Sequence, residues 1–366
     1  MNPIITQEIQ EVMKAVHYRP AVSILMPFEP QLNFKNGLTH SLKISADKVE
    51  KELLENYPSE LALLVVQKLR NLISNLVVDV HKKSIAIYVS PVFEKVLYLE
   101  IPVEEKIIID ESFEIRDLVY SKKQLHKYLL LLLSGKESRM YIGYSDSFVR
   151  IVPDIPETVA AYENDPPERI ANFSDMSEHK EIVLDKFLHH MDNAMGSVLK
   201  AYHLPVFVLG TERILGHFNK LTKHGGVIIE YIPGNYEEAT LPRLREILKP
   251  HITEWKKSKQ QNLLIQLEVA AGKKELAIGI TDVWREAMNQ KGRLLVVEKN
   301  YMSAAQHGGR EEDIYEIPQP DNKFFYIKDA VDDVIEKVLE NGGDVEFVDE
   351  NLLREYQHIA LVQYYK

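Results

Sequence analysis

The sequence predicts an α/β protein built as three successive domains. Short apolar runs closed by turn residues, such as AVSILMPF, SIAIYVS and PVFVLG, alternate along the chain with stretches of helical period. The length of 366 residues is more than one core usually holds. The composition, 45% hydrophobic and 27% charged, is that of an ordinary globular protein and can supply those cores.

The first domain is expected over residues 1–113. It opens with a helical pattern (Ile4, Ile5, Ile9, Val12, Met13, Val16), then the buried strand AVSILMPF, closed by Pro27 and Pro30. A polar loop, EPQLNFKNG, precedes two amphipathic helices, LTHSLKISADKVEKELLENY and SELALLVVQKLRNLISNL. SIAIYVS and EKVLYLEI follow as a hairpin-like pair of strands.

The second domain, 114–234, begins with IRDLVYSKKQ as a helix or turn, followed by three strands in YLLLLLS, ESRMYIGYS and SFVRIVP. From Asp154 to Ser177 the chain is rich in Pro, Asn, Asp and Glu and has no period, so a long exposed loop is expected there. The helix EHKEIVLDKFLHHMDNAM comes next. A strand, a helix (TERILGHFNKLTKH) and a strand (GVIIEYIPG) complete the domain.

The third domain, 235–366, starts with LPRLREILKPHITEWKKSKQQNLLIQLEVAA, one long or broken helix that Pro250 should kink or interrupt. KELAIGI, TDVWREAMNQKG, RLLVVEKNY, DAVDDVIEKVLENGG, DVEFVDE and HIALVQYY then alternate strand and helix toward a small α/β/α sandwich. In its last strand Ile359, Leu361 and Tyr364 are expected to be core.

Several function classes drop out on composition. No cysteine is present, which excludes disulfides, thiolate catalysis and Cys-ligated metals. No run approaches the ~18 apolar residues of a membrane helix, and the N-terminus lacks the basic start and apolar stretch of a signal peptide. A cytoplasmic location without membrane contact is therefore expected. The net charge of -11 argues against nucleic acid until its distribution is considered. Residues 311–355 hold 15 acidic and 4 basic side chains, so the rest of the chain is neutral, and residues 199–259 carry 10 Lys/Arg against 6 Asp/Glu. Such a chain can meet RNA with one surface and a protein with another.

No Walker loop, Rossmann glycine fingerprint, H-E-x-x-H or G-x-S-x-G occurs. The HGG at 224–226 is expected to cap a helix, and the HGG at 307–309 to lie in a flexible polar excursion. On the helix after the long loop, Glu181, Asp185, His189 and Asp192 fall opposite the apolar stripe, with His179 just ahead. A solvated face is the simpler reading. The sharper one is a metal-dependent hydrolase or nuclease using His179, Glu181, Asp185 and His189. Lys35, Asn36, His40 and Lys43 cluster where a loop enters a helix, and donors at a helix start suit RNA phosphates. Lys256 and Lys257 belong to a second basic stretch, from Lys249 to Lys259.

In this order the three segments resemble the archaeo-eukaryotic class of peptide-chain release factors, with the ribosome-rescue protein Pelota, and most closely their divergent Balon-like bacterial relatives. PAVSILMPFEP, KNGLTHSLKISADKVEKELL and SIAIYVS match the codon-reading domain; AIGITDVWREAMNQKGRLLVVEKN and GGDVEFVDENLLREYQHIALVQYY match the factor-binding domain. The resemblance implies a ribonuclease-H-like central domain, binding at the ribosomal A site in hibernation or rescue of stalled ribosomes, and no cofactor. It also implies that the acidic third domain meets a translational GTPase or a basic stalk protein through Asp332, Asp333 and Glu336 on an exposed helix face. The hydrolytic Gly-Gly-Gln of true release factors is missing: NFSDMSEHKEIV, in its place, holds neither glycine nor glutamine, so no catalytic residue is assigned. KNGLTHSLK likewise departs from the decoding motif Asn-Ile-Lys-Ser.

Overall fold

The computed structural model describes residues 7–15, 19–28, 34–77, 79, 82–124, 127–144, 147–162, 176–317 and 326–364. Contacts divide the chain into two compact units, Met1–Gln124 with Gln260–Lys366, and Leu125–Lys259.

The first unit opens with helix α1 (Gln7–Met13), strand β1 (Ala21–Pro27), helices α2 (Phe34–Asn56) and α3 (Ser59–Ser74), strands β2 (Ser84–Val89), β3 (Glu94–Leu99) and β4 (Lys106–Asp110), and helix α4 (Arg116–Gln124). Its antiparallel sheet has the order β3-β2-β1-β4. Both faces are covered, so β1 is a continuous apolar run: Val22, Ile24 and Met26 pack with Leu42, Val49 and Leu69 of α2 and α3, while Ala21 and Leu25 face a second core.

The second unit contains β5 (Tyr128–Leu133), β6 (Ser138–Tyr144), β7 (Ser147–Ile151), α5 (Met176–Tyr202), β8 (Val206–Gly210), α6 (Glu212–Leu221), β9 (Ile228–Pro233) and the part of α7 (Leu241–Lys273) up to Lys259. Its sheet order is β7-β6-β5-β8-β9, with β6 antiparallel to both neighbours and β8 and β9 parallel to β5. This is the strand order of a ribonuclease-H-like unit. The pleat of YLLLLL serves two cores: Leu129, Leu131 and Leu133 meet Phe187, Met191 and Phe218 of α5 and α6, and Leu130 and Leu132 lie in the cluster of Leu244 and Leu248 of α7.

The first unit resumes with the rest of α7, then β10 (Leu276–Ile278), α8 (Gly279–Met288), β11 (Gly292–Glu298), β12 (Ala305–His307), β13 (Ile314–Glu316), β14 (Tyr326–Ile327), α9 (Ala330–Glu340), β15 (Asp344–Val348) and β16 (Ile359–Gln363). The sheet β10-β16-β11-β15 carries α8 and α9 on one face and Leu267 and Ala270 of α7 on the other, the expected α/β/α sandwich. Gly279 adopts φ +75° at the start of α8, a left-handed conformation that strains any residue with a Cβ. The core beneath α8 and α9 continues through Phe113, Ile115, Leu118 and Val119 to Leu25 and Tyr88 of the first sheet.

Five local expectations are corrected. Helix α2 begins at Phe34, so Lys35 and Asn36 lie in its first turn rather than in a loop; the amides of that turn need no partner within the helix, which accommodates Asn36-Gly37. Helix α7 runs unbroken through Pro250, which removes only one donor from 33 residues. The first HGG is no helix cap: α6 ends at Leu221 with Thr222 extended, and Gly225–Val227 form a separate 3-10 turn. The second HGG lies in the hairpin β12/β13, where Gly308 N–H donates to Asp313 O at 2.7 Å, within a three-stranded sheet of order β13-β12-β14. Tyr364 is 47% exposed, beyond the end of β16, with its hydroxyl donating to Gly342 O at 3.2 Å; Ile359 and Leu361 are buried as expected.

Candidate functional site

The densest group of buried charge lies in the first unit, where the segment from β4 to α4 meets the start of α9. Glu114, Arg116, Asp117, Asp329, Asp332 and Glu336 are all buried. Asp329 caps α9, accepting from Val331 N–H at 3.1 Å, and pairs with the Arg116 guanidinium, which also donates to Tyr301 O at 2.5 Å. Asp332 caps a different helix. Its Oδ1 accepts from the Ile115 and Arg116 amides at 3.1 and 2.7 Å, at the N-terminus of α4, where free N–H groups favour an anion. Lys106 Nζ pairs with Asp117 at 2.9 Å and stands 4.0 Å from Glu114. Ser112 donates to Asp333 at 2.7 Å, and Lys123 holds Asp344 and Glu346 at 2.9 and 2.7 Å.

Burial opposes ionisation of Glu114, Arg116, Asp329 and Asp332. It raises the Glu114 carboxyl to about 8, with the Asp329 charge adding to the effect, and pushes Asp332 well above the usual carboxylate range, helped by Glu114. Asp333 also rises to about 8, first through burial and then through Asp110. Burial works against the Arg116 charge too, but Asp329 and Glu114 outweigh it and hold the guanidinium protonated. A cavity of about 360 Å³ lies beside the group, lined by Asp110, Trp284, His307 and Asp333 among others.

This geometry corrects the reading of α9. Asp332 and Glu336 are buried and Asp333 is half-buried, so they do not form an exposed partner-binding face. The side of the helix that the sequence assigns to solvent carries groups bonded to residues 112–116 of the same unit. Asp344 and Glu346 are likewise engaged by Lys123. The sequence does carry a trace of this: FEIRDLVY places Glu114, Arg116 and Asp117 among Phe113, Ile115, Leu118 and Val119, a charged pattern inside an apolar segment.

The remaining candidates are dispersed. On α2, His40 and Lys43 are exposed, and the side chains of Lys35 and Asn36 lie outside the described residues. Lys51, three turns beyond His40, is exposed on the same helix. On α7, Lys256 is half-buried, and Lys257 is exposed and stands 3.8 Å from Glu254. On α5, Glu181 pairs with Arg213 and Asp185 with His217, both at 3.0 Å, so the two carboxylates are engaged by α6. His189 is exposed, the side chain of His179 lies outside the described residues, and no group of three or more His, Cys, Asp or Glu among the described residues could hold an ion.

Asp192 is not on the outer face. It is 1% exposed, accepting from the Thr222 hydroxyl at 2.5 Å and the Lys223 amide at 3.2 Å, while His224 packs so closely on Gly196 that a Cβ there would meet its Nε2 at 2.5 Å. Asp192→Ala is expected to destabilise the second unit by about 1–3 kcal/mol, because it strands two donors. Urea unfolding followed by circular dichroism would check it; an unchanged midpoint would mean that water replaces the carboxylate.

Residues 127–291 match the profile of Bacterial archaeo-eukaryotic release factor family 3. That region is similar to the bacterial archaeo-eukaryotic release factors. The matched region begins one residue before β5 and reaches just past α8. Among solved structures, a ribosome-bound archaeal Pelota is 10% identical over 99% of this chain and 96% of its own, with TM-score 0.44. Dom34 of S. cerevisiae, described as interacting with Hbs1, is 12% identical over 82% and 78%, with TM-score 0.41. The archaeal termination factor aRF1 is 12% identical over 98% and 96%, with TM-score 0.25. No residue correspondence follows at these values. Among curated proteins none matches. Among the described residues, no helix is long and apolar enough to cross a membrane.

Proposed function

We propose that this release-factor-like chain is a cytoplasmic, ribosome-associated translation factor that occupies the A site without hydrolysing peptidyl-tRNA, in hibernation or in rescue of stalled ribosomes. The single observation that carries this reading is the family match over residues 127–291. The non-hydrolytic part rests on NFSDMSEHKEIV, which lies inside that match and lacks the glycines and glutamine that the chemistry needs. A translational GTPase is the proposed protein partner, by analogy of family. With Asp332 and Glu336 buried, its contact would have to use other acidic groups, such as the exposed Glu311 in the turn between β12 and β13.

Cosedimentation with vacant and with translating ribosomes at moderate salt tests the reading; a protein that stays in the supernatant in both cases overturns it. The exposed positions of His40 and Lys43 support an RNA-facing role for α2. Lys35→Glu with Lys43→Glu is expected to weaken ribosome association and to flatten its salt dependence by about two phosphate contacts. An unchanged slope would move the RNA surface elsewhere, with Lys256 and Lys257 of α7 the next pair to replace.

A further inference from the structure

We infer that the cavity lined by α8, α9, the β12/β13 hairpin and the end of β4 is a binding site for a small organic cation, an ammonium or guanidinium group carried on an alkyl chain. The inference does not rest on the ribosome reading. The cavity measures about 360 Å³, at the lower end of the ~300–1,000 Å³ of ligand pockets, so it suits a short ligand rather than a nucleotide. Its lining selects the sign of the charge. Of the thirteen residues around it, six are carboxylates and two, Arg19 and Lys337, are cations. Both cations are already held within the wall, Arg19 by Glu111 at 2.8 Å and Lys337 by Glu340 at 3.4 Å. Asp110, Glu311, Asp333 and Glu336 remain as the excess, which repels an anion and attracts a cation.

The rest of the wall narrows the kind of cation. Trp284, Met288 and Ile327 place apolar surface beside the carboxylates, a combination that suits an alkyl stem with a charged end. The rings of Trp284 and His307 stand edge-on at 5.7 Å, and an aromatic wall adds attraction for an ammonium or guanidinium group. A bare metal ion would leave most of this volume unused, and among the described residues no group of three or more His, Asp or Glu could hold one.

The walls are fixed by the fold itself. The Trp284 indole donates to Glu311 O at 3.0 Å, which ties α8 to the hairpin, and Ser112 donates to Asp333 at 2.7 Å, which ties the end of β4 to α9. Asp110 accepts from the Lys328 and Glu111 amides, both at 2.8 Å, while Lys328 Nζ is occupied by Glu52 at 2.5 Å. Beneath them α8 and α9 share one apolar core with β1 and β2, so the cavity keeps its shape without a ligand. These amides and the serine hydroxyl bond the carboxylate oxygens without cancelling their charge. Charge held away from water is costly until it is paired, and a cationic ligand supplies the missing partner in a site that needs little further ordering.

Calorimetric titration of the full chain with agmatine, which carries a guanidinium and an ammonium group on one butyl chain, tests the site. Saturable binding is expected, and Asp333→Asn should weaken it about tenfold or more by removing a charge-assisted contact. Glu311 and Glu340 are exposed at the rim, so Glu311→Gln and Glu340→Gln leave the core intact; each should weaken binding by about threefold. Glu350→Gln, an exposed change that does not line the cavity, should leave the affinity as it is. A second titration with the blocked tripeptide Gly-Arg-Gly separates the sources of the cation: binding of the peptide assigns it to a protein side chain, binding of agmatine alone to a free small molecule. The inference is overturned if neither probe binds saturably at millimolar concentration, or if the cavity substitutions change the affinity no more than Glu350→Gln does. Should Asp333→Asn fail to fold, the two rim variants decide by themselves.

Discussion

Arg116→Met is expected to destabilise the protein by about 3–5 kcal/mol, the cost of removing one partner from a buried ion pair and leaving the other charged and dry. The guanidinium is 0% exposed as a residue and touches the Asp329 carboxylate and the Tyr301 carbonyl, while Glu114 lies 4.0 Å from its Nε. Without it, Asp329, Glu114 and Asp332 would repel one another in a closed interior. Each would then need a proton at neutral pH, so the loss should be larger at pH 8 than at pH 6. Guanidinium unfolding at both values measures this. Adding Asp329→Asn removes one of the stranded charges and should recover part of the loss. A destabilisation below about 1 kcal/mol would place the pair at a surface value and contradict its burial.

Phe207→Ala is expected to cost the second unit a similar amount, about 3–5 kcal/mol, through lost burial and the cavity left behind. Phe207 is fully buried on β8, with its ring edge-on to Tyr128 at 5.5 Å and to Trp255 at 5.9 Å. Tyr128 also contacts Phe148, so the ring stands at the centre of an aromatic group that joins the sheet to α7. Small shifts of these rings cannot refill the space of a phenyl group. The loss should appear as a fall in the midpoint of thermal unfolding, with Phe207→Leu costing distinctly less because it keeps most of the volume. Equal effects from the two substitutions would show that ring packing adds nothing beyond the presence of a side chain.

The elements were legible where local pattern decides them. AVSILMPF and YLLLLL are strands because their apolar runs are too short for helices and end at turn residues; both lie inside sheets covered on two faces. The repeats of α3, α6 and α8 follow the helical period, and three of the four sheets among the described residues follow with their helices from that alternation. The place of the missing Gly-Gly-Gln is likewise a matter of sequence alone.

The direction in which α9 faces was decided only by tertiary structure. Its polar side, Asp332, Asp333 and Glu336, has the period of a solvated face, and no local rule distinguishes water from Arg116 and the amides of α4, more than 200 residues earlier in the chain. The same holds for Asp192, whose partners Thr222 and Lys223 come from the far end of the next helix. A charged side chain shows in sequence that it must be solvated or paired. Which of the two it finds depends on what the fold brings against it, and in this protein the pairing residues are non-local, so the sequence determined the elements and their apolar faces while the packing determined which charges are buried.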